Sequence, residues 1–583
     1  MGNLIGYDDF SKGLNDTTSP DKLADSEVME ALNIDLSDRG GFSTRKGTTK
    51  YNEVPFNAEI AQCFEWISGG KTRIITIINK KLCIINKDGT KAEKITLKGD
   101  KIGYFFYQHK LYFSDAEEFY SWGDYDYSAK ETSVSIKKGD IVFNKPKTTG
   151  GGIEGAFYKA KRDMSSKNLT KENFLNMTYW EDVTDINGII SNVIRPVKTS
   201  KKDRTGADIK DNNLKPIKKC KYFVLHQKSL RVFASGNPDN PTALYFSEPG
   251  QMGYFKGTNV VFPTNSEGEV TAIVPLLSDV LISYNNSWWH WRGIDPKTDA
   301  IWEKLPIPYG AISNDSVVLT PYSITYLGRN GVYTLHASGI NQDIVMVQNK
   351  STINNLAENR IENLIKNIKN IKSSCGVFHD NRYMLAYSDE ADKNNKVLVF
   401  DFGIGGFTVY EGWQVNSWCS CASGDLLFAS KNYMLKQDEV YTDIDVTTGD
   451  KKPIRLKVRT KNYNLGLSLN SKFLQRLFIM LKQSEKIKSS MKLTVIGDYK
   501  RIEIPMLDLS DSLIYGRPWG KKWGYADFVQ KYILINQIAT RFQIIIENNN
   551  IDDPITVYGL GFDIKPLKRP SGEKIEREGW LLE

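Results

Sequence analysis

The stretch "VLISYNNSWWHWRG", residues 280–293, carries the pattern that decides the fold. An apolar segment meets a polar Asn-Asn pair at 285–286, and a second, aromatic segment follows at once. A polar pair between two strand-forming segments is typical of a β-hairpin. Alternation along the second strand places Trp289 and Trp291 on one face and Trp288 on the other. We interpret these rings as packing between sheets rather than as a platform for a ligand.

Similar hairpins recur along the chain. Further turns are expected at Asn79-Lys80, Gln108-His109, Gln227, Asn330-Gly331, Asp380-Asn381 and Lys431-Asn432. From Asn286 onward they recur roughly every 44–51 residues, which is the spacing of blades in a β-propeller. The sequence therefore predicts an all-β protein with a propeller of five to seven blades. Because Asn-Gly is the strongest short hairpin signal, Gly331 is expected to have a positive φ, and Gly331→Val to cost about 1–2 kcal/mol.

Changes in composition divide the chain into segments. A polar stretch rich in Lys, Asp and Gly interrupts the repeat, and the repeat stops after Pro453. We predict an N-terminal arm (1–50), a first propeller part (51–125), an inserted small β module (126–217), a second propeller part (218–452), a C-terminal β-sandwich-like domain (453–570) and a tail (571–583).

One helix is predicted near residues 351–371. Apolar residues fall there at helical spacing, and Ser351 or Thr352 can cap the start. The apolar positions are Ile353, Leu356, Ile361, Leu364, Ile365 and Ile368. The helix is expected to pack on the propeller edge; contact with a neighbouring subunit is the alternative.

The insert contains three short motifs, in residues 137–143, 155–163 and 179–185. Their Gly-Asp-x-Val, Tyr-x-Ala and Trp elements are similar to small carbohydrate-binding modules of the chitin-binding kind. That resemblance implies a compact three-strand unit in which Tyr158, Tyr179 and Trp180 bind glycan by stacking on sugar rings. In the alternative interpretation, Tyr158 and Trp180 build a small core.

Composition and motifs argue against enzymatic chemistry. No phosphate-binding loop, zinc-protease motif or nucleophile elbow occurs, and the six cysteines lack metal-site spacing. We therefore predict no catalytic residues, no metal and no cofactor, with a propeller glycan hydrolase as the remaining enzyme hypothesis. The net charge of +8 is spread over a long chain, so it indicates a mixed surface rather than a nucleic-acid site. No signal peptide and no membrane span is predicted.

Two segments in the second propeller part resemble a known family. "RVFASGNPDNPTALYFSEPG" (231–250) combines an Arg-x-x-x-x-Gly-x-Pro segment with a Ser-Glu-Pro-Gly corner. A Gly-x-Asp-Pro segment follows at 293–296. The N-terminal arm adds motif positions at Gly13, Ser19, Ala31 and Arg45. Together, this order of motifs resembles the tail nozzle, or portal-stabilisation, proteins of tailed bacteriophages. At the corner itself, Pro249 is expected to end the strand and Gly250 to permit a sharp turn.

The resemblance implies a structural virion protein. In that family the chain forms a homo-oligomeric ring, expected to be a hexamer, that continues the DNA-ejection channel below the portal and adaptor. It implies localisation in the virion tail after synthesis in the host bacterial cytoplasm. Expected partners are the portal and adaptor proteins, tail fibres or other tail proteins, and the genomic DNA. The alternative function is receptor binding, in which the insert holds a host surface glycan.

Overall fold

The computed structural model describes residues 3–567 with interruptions. Besides breaks of one or two residues, the gaps are 145–155, 184–193, 198–200, 203–207, 299–301, 337–352, 356–359, 467–469, 483–489 and 509–528. Strands dominate the described residues, and the architecture is a β-propeller with an inserted β module and a C-terminal β-sandwich.

The N-terminal arm contributes strands to three different sheets. Its strands are β1 (Asn3–Tyr7), β2 (Gly13–Leu14), β3 (Glu27–Leu32), β4 (Ile34–Leu36), β5 (Phe42–Thr44) and β6 (Gly47–Lys50). The first five join the two sheets of the sandwich, and β6 joins a propeller blade. The arm therefore ties the two parts of the molecule together.

The first blade and most of the second precede the insert. Blade 1 holds β7 (Ile60–Ser68), β8 (Lys71–Ile78), β9 (Lys81–Ile85) and β10 (Lys91–Thr96). Blade 2 begins with β11 (Gly103–Tyr107), β12 (Lys110–Ser114) and β13 (Phe119–Trp122). Both are antiparallel, with consecutive strands paired side by side.

The inserted module lies between the third and fourth strands of blade 2. It contains β14 (Tyr127–Ser128), β15 (Val134–Ile136), β16 (Ile141–Asn144), β17 (Ala156–Ala160), β18 (Met164–Lys167) and β19 (Trp180–Asp182), with a 3-10 helix at Leu169–Lys171. The three predicted motifs supply β16, β17 and β19, which pair in that order. The chain then returns to blade 2 as β20 (Arg195–Pro196), which pairs with β13. The described residues Arg195, Pro196, Val197, Leu214 and Ile217 thus differ from the predicted insert, because they complete blade 2 and the core behind it.

The remaining blades follow in chain order. After the hairpin of β21 (Lys201–Lys202) and β22 (Asp208–Ile209) and a 3-10 helix at Ile217–Lys219, blade 3 holds β23 (Tyr222–His226), β24 (Arg231–Ser235), β25 (Leu244–Phe246) and β26 (Val260–Val261). Blade 4 holds β27 (Ala272–Leu276), β28 (Asp279–Tyr284), β29 (Ser287–Arg292) and β30 (Trp302–Leu305). Blade 5 follows a 3-10 helix at Asn314–Ser316 and holds β31 (Val318–Thr320), β32 (Ser323–Leu327), β33 (Val332–His336) and β34 (Ile353–Asn355). Blade 6 holds β35 (Cys375–His379), β36 (Arg382–Tyr387), β37 (Lys396–Asp401) and β38 (Gly406–Glu411).

Blade 7 closes the ring with a strand from the arm. Its own strands are β39 (Ser417–Ser420), β40 (Leu426–Ser430) and β41 (Tyr433–Asp438), and β6 pairs with β41 as the fourth. The first strand of blade 7 lies against the first strand of blade 1, and the first strands of blades 2, 3 and 4 are likewise neighbours. The described residues therefore form a propeller of seven blades, within the predicted range of five to seven, with the first strand of each blade innermost.

Large aromatic side chains fill the spaces between blades. Trp288 lies in a buried cluster with Tyr326 of blade 5, whereas Trp291 packs with Phe233 of blade 3. The strict alternation of β29 sends these two rings to opposite faces of blade 4. The interpretation of the Trp-rich strand as packing between sheets is confirmed.

Most predicted turns are confirmed as two-residue hairpin turns. Asn79 and Lys80 have φ values of 48° and 59°, and Asp380 and Asn381 have 48° and 57°. The turns at 285–286 and 431–432 also join directly paired strand ends. The turn residues Gln108 and His109 lie outside the described residues, although the strands on either side pair as expected.

The predicted tight turn at Asn330-Gly331 is wrong. Leu327 pairs with Val332, so the loop has four residues, and the Gly328 N–H donates to the Gly331 carbonyl at 2.9 Å. Gly331 is not among the described residues with a positive φ. The wider loop removes the need for the left-handed conformation that an Asn-Gly pair supplies in a two-residue turn.

The helix predicted near 351–371 is also wrong for most of its length. The structure has β34 at Ile353–Asn355, a single helical turn, α1 (Glu362–Lys366), and a 3-10 helix at Ile371–Ser373. The proposed caps Ser351 and Thr352 lie outside the described residues. Pairing of β34 with β33 supplies the fourth strand of blade 5, and this pairing overrides the local helical spacing.

The C-terminal strands form two packed sheets. A hairpin of β42 (Thr442–Ile444) and β43 (Lys451–Pro453) precedes β44 (Leu456–Thr460), β45 (Lys472–Leu481), β46 (Ser490–Gly497), β47 (Lys500–Asp508), β48 (Val529–Ala539), β49 (Phe542–Asn548) and β50 (Thr556–Pro566). One sheet has the order β4-β5-β50-β45-β48, with β1 also paired to β50. The other runs from blade 6 through β2 and β3 to β44-β49-β46-β47, as ten continuous strands. The sandwich predicted as a separate domain thus shares a sheet with the propeller.

Candidate functional site

The predicted glycan-binding residues do not form an exposed aromatic platform. Trp180 is fully buried and Tyr158 is nearly so. The ring of Phe174 lies between them, with centroids 5.0 Å from each. The indole N–H of Trp180 donates to Glu172 Oε1 at 3.2 Å. Two of the three predicted side chains therefore build the core of the module, as in the alternative interpretation.

Tyr179 is the partly exposed member of the predicted set. The Arg162 guanidinium carbon lies 3.7 Å from its ring centroid, and the Lys167 ammonium lies 5.3 Å away. A cation over the ring occupies a face that a sugar would need for stacking. The geometry of Tyr179 suits a structural cation–π contact better than a sugar platform.

The Ser-Glu-Pro-Gly corner is a structural turn, as predicted. Gly250 has a φ of 67°, and the Gln251 N–H donates to the Glu248 carbonyl at 3.1 Å. With Pro249 at its second position, this is the geometry of a turn that needs glycine at the third. The Ser247 hydroxyl accepts a hydrogen bond from the Val232 N–H at 2.9 Å, which fastens the corner to β24.

Arg231 connects the corner to the next blade. Its Nη1 donates to the Ser247 carbonyl at 2.8 Å, and its Nη2 lies 2.9 Å from Asp295 Oδ2. Its guanidinium also lies over the ring of Phe246. The Arg-x-x-x-x-Gly-x-Pro segment and the Gly-x-Asp-Pro segment, 64 residues apart in sequence, thus meet through one nearly buried arginine.

A second buried arginine fastens the arm. Arg45 is fully buried and binds both carboxylate oxygens of Asp443. Its Nε donates to Asn33 Oδ1 at 2.8 Å, and the indole N–H of Trp413 donates to Asp443 Oδ1 at 3.0 Å. Arg45 Nη2 also donates to the Glu411 carbonyl at the end of blade 6, so a paired and hydrogen-bonded charge holds the arm to blade 6 and to the segment of Asp443 that follows blade 7. The sequence singled out Arg45, whereas no local pattern marks Asp443 as its partner.

Two ion pairs cross the mouth of the propeller's central channel. Lys101 precedes blade 2 and Asp315 precedes blade 5, and their charged atoms lie 3.0 Å apart. Lys372 precedes blade 6 and contacts Glu269, which precedes blade 4, at 3.3 Å. Neither pair joins neighbouring blades, so both must reach over the channel. Burial lowers the pKa of Lys101. The charge of Asp315 and its hydrogen bond to the ammonium outweigh burial, so the pKa is raised.

Possible metal ligands and thiols are scattered in the part of the chain that the structure describes. No three His, Cys, Asp or Glu side chains there gather closely enough to hold a metal ion. The sulfur atoms of Cys419 and Cys421 lie 3.9 Å apart on one face of β39 and its continuation, as alternation predicts. Both thiols are buried, and burial raises the pKa of the neighbouring Cys63 to about 12. The Cys63 thiol is therefore protonated and unreactive at neutral pH.

Among the described residues, no helix combines the length and the apolar character needed to cross a membrane.

Comparisons with known proteins identify no family. No protein-family model matches the chain, and no curated protein sequence matches it. Among solved structures, PorZ, a surface component of the type-IX secretion system of Porphyromonas gingivalis, is 11% identical with a TM-score of 0.33. The match covers 78% of this chain and 46% of PorZ. The WD40 domain of Neurospora crassa Pan2 is 8% identical with a TM-score of 0.33, and the match covers 69% of this chain and 97% of that domain. These likenesses concern the fold alone.

Proposed function

We propose that the chain is a structural protein of a tailed-bacteriophage virion, a tail nozzle subunit that assembles into a homo-oligomeric ring. The ring, a hexamer in this proposal, continues the DNA-ejection channel below the portal and adaptor. The chain is made in the host bacterial cytoplasm and resides in the virion tail. Its partners are the portal and adaptor, tail fibres or other tail proteins, and the DNA that passes through.

The contact between Arg231 and Asp295 is the observation that carries this proposal. The two residues belong to two separate segments on which the resemblance to nozzle proteins rests. Their ion pair of 2.9 Å gives those segments a shared structural role. Arg45, a motif position in the N-terminal arm of the same resemblance, is likewise buried and ion-paired. The motif residues therefore make structural contacts within a rigid framework. Such a role is more typical of a virion component than of an enzyme.

The ion pairs over the channel mouth bear on where DNA would travel. Lys101 with Asp315, and Lys372 with Glu269, cross the opening of the propeller. A duplex therefore cannot follow the propeller axis of a single chain. In this proposal the DNA path lies between the copies of the ring.

The glycan-binding alternative has less support. A receptor module would need exposed aromatic faces, whereas Trp180 and Tyr158 are buried and a cation covers Tyr179. Among the described residues of the insert, no contact favours sugar over another ligand.

Electron microscopy of the purified chain, alone and mixed with portal and adaptor, tests the proposal. We expect closed rings with an opening wide enough for duplex DNA, and coaxial complexes with the adaptor. Monomers at every protein concentration, with no complex formed in the mixture, would contradict it.

A further inference from the structure

The outer face of the sandwich sheet that contains β48 is unusually apolar. Tyr532, Leu534 and Ile538 on β48 have exposed fractions of 60%, 62% and 59%, and Leu4 on β1 has 65%. Large apolar side chains exposed together on one surface typically mark an interaction site. This set of four residues is called the outer apolar face below.

Strand pairing shows that these side chains share one side of the sheet. Leu4 pairs with Asp563, Asp563 with Arg476, and Arg476 with Leu534. Directly paired residues point to the same face of a sheet, and so do residues two apart on a strand. The outer apolar face therefore extends across the whole sheet, from β1 at one edge to β48 at the other.

Both ends of this face are sheet edges. Among the described residues, the 11-residue strand β48 pairs with β45 and with no further strand. Within the same residues, β1 pairs with β50 alone. A long edge strand with exposed apolar side chains is a template for pairing with another chain, and native proteins usually protect such edges. A partner is therefore expected at these two edges.

The strand directions make the two edges complementary. β1 is antiparallel to β50, β50 to β45, and β45 to β48. It follows that β48 and β1 run in opposite directions. If a second copy is placed beside the first in the same orientation, its β1 meets β48 as an antiparallel neighbour and continues the alternation.

Charge favours a protein partner over DNA at this face. Arg476 lies in the middle of the face and is paired with Asp563 at 2.7 Å. This pairing neutralises Arg476, whereas Lys565 of β50 is exposed on the same side of the sheet. The face therefore offers phosphate few cations beside its four exposed apolar side chains.

We propose that β48 of one copy pairs with β1 of the next, so that this sheet continues from subunit to subunit around the ring. The inference rests on the proposed ring and names its interface. Such a head-to-tail contact uses two different surfaces and closes into a ring when the rotation between copies allows it. Main-chain hydrogen bonds join the strands, and Leu4 of one copy packs beside the β48 side chains of the other.

Two edge variants test the interface. One carries Leu534→Lys with Ile538→Lys, and the other carries Leu4→Lys. The matched control carries Val54→Lys with Ile551→Lys, which places the same charges on apolar residues that are 75% and 57% exposed elsewhere. Assembly is measured by sedimentation velocity and electron microscopy, and folding by urea unfolding.

We expect rings from the parent and the control, and folded monomers from each edge variant. An equimolar mixture of the two edge variants should form dimers and stop there, because one intact β48 meets one intact β1. Intact rings from both edge variants would overturn the interface while leaving the proposed function standing. Loss of assembly in the β48 variant alone would also overturn it, since that indicates symmetric β48–β48 pairing.

Two further outcomes are informative. A lower urea midpoint in the β48 variant, with assembly unchanged, would show that the face is covered within its own chain and would overturn the inference. A parent protein that stays monomeric at every concentration would overturn the proposed function together with this interface.

Discussion

Arg45 shows how one side chain can hold the N-terminal arm in place. Arg45→Met would leave Asp443 as a buried charge without its partner, which costs about 3–5 kcal/mol. The adjacent Lys46→Ala is the matched control, because its ion pair with Glu439 is exposed and such pairs contribute about 0.2–1 kcal/mol. Urea unfolding of both variants measures the difference. Equal midpoints for the two variants would contradict a structural role for the buried pair.

His290 makes stability depend on pH in a defined direction. Burial lowers the pKa of His290, but hydrogen bonds to Asp279 and Glu303 outweigh burial and raise it above 6.5. The protonated ring therefore stabilises the fold below pH 6.5, and this contribution is lost as the pH rises through the raised pKa. His290→Gln should have a lower urea midpoint than the parent in acid, with the gap narrowing at alkaline pH.

His379 provides a control of opposite sign. Burial lowers the pKa of His379 below its usual 6.5, so protonation of the unfolded chain costs stability as the pH falls through that value. His379→Gln should therefore gain stability relative to the parent in acid. If both variants changed in the same direction with pH, the assignment of the two environments would be wrong.

The two glycines at predicted turns separate what local sequence can and cannot specify. Pro249-Gly250 was predictable because a proline followed by glycine suits one turn type. The tight turn predicted at Asn330-Gly331 was wrong because the pairing of β32 with β33 sets the length of the loop, and no dipeptide encodes that pairing. Gly250→Val should cost about 1–2 kcal/mol, since valine resists a positive φ. Gly331→Val should cost less, and urea midpoints in the reverse order would contradict this.

At the scale of elements, the hairpin repeat was predictable and the segment near 351–371 was not. Alternating strands and polar turns are local signals, so most turns were placed correctly. The spacing of Ile361 and Ile365 also fits a helix, and both are buried, Ile361 at the N-cap of α1 and Ile365 within α1. Strand β34, however, is fixed by its neighbour in blade 5, which is a non-local pairing.

The insert can be removed cleanly only at one pair of positions. Ser121 pairs with Arg195, so the chain leaves and re-enters blade 2 at adjacent points. Replacing residues 123–193 with Asn-Gly should preserve cooperative unfolding, because a two-residue turn can then join Trp122 to Ile194. Excision of 126–217 is the contrasting variant. It removes Val197, Leu214 and Ile217 from a buried cluster, so cooperative unfolding should be lost. Equal behaviour of the two excisions in urea would contradict the boundary.

At the scale of the whole molecule, the continuity between propeller and sandwich could not be predicted. Each part has its own strand pattern, and the sequence shows only that the repeat stops after Pro453. The sheets are joined by β2 and β3 of the arm, which lie more than 400 residues from β44 along the chain. The burial of Trp180 could likewise not be predicted from the sequence, because a Trp in a short strand fits either a core or a sugar-binding platform.

A ring of these chains is expected to let DNA pass without holding it. A conduit must release DNA, and each phosphate neutralised by Lys or Arg steepens the salt dependence of binding by about 0.9 in the logarithmic slope. We expect the excess positive charge to lie away from the channel, in the insert and near the C-terminus. The residues concerned are Lys198, Lys201, Lys202, Arg204, Lys565, Lys568 and Arg569. Of these, Lys565 is exposed and Lys201 and Lys202 form β21, while the other four lie outside the described residues.

Duplex binding by the purified ring, measured across a salt titration, tests this distribution of charge. A passive channel should bind duplex weakly and with a shallow salt slope. The monomeric β48 edge variant is the control, because binding inside a lumen requires the ring, whereas binding to outer lysines does not. Tight binding with a steep slope that disappears in this variant would show a lumen lined with cations. A ring of that kind would grip DNA, and the passive conduit would be excluded.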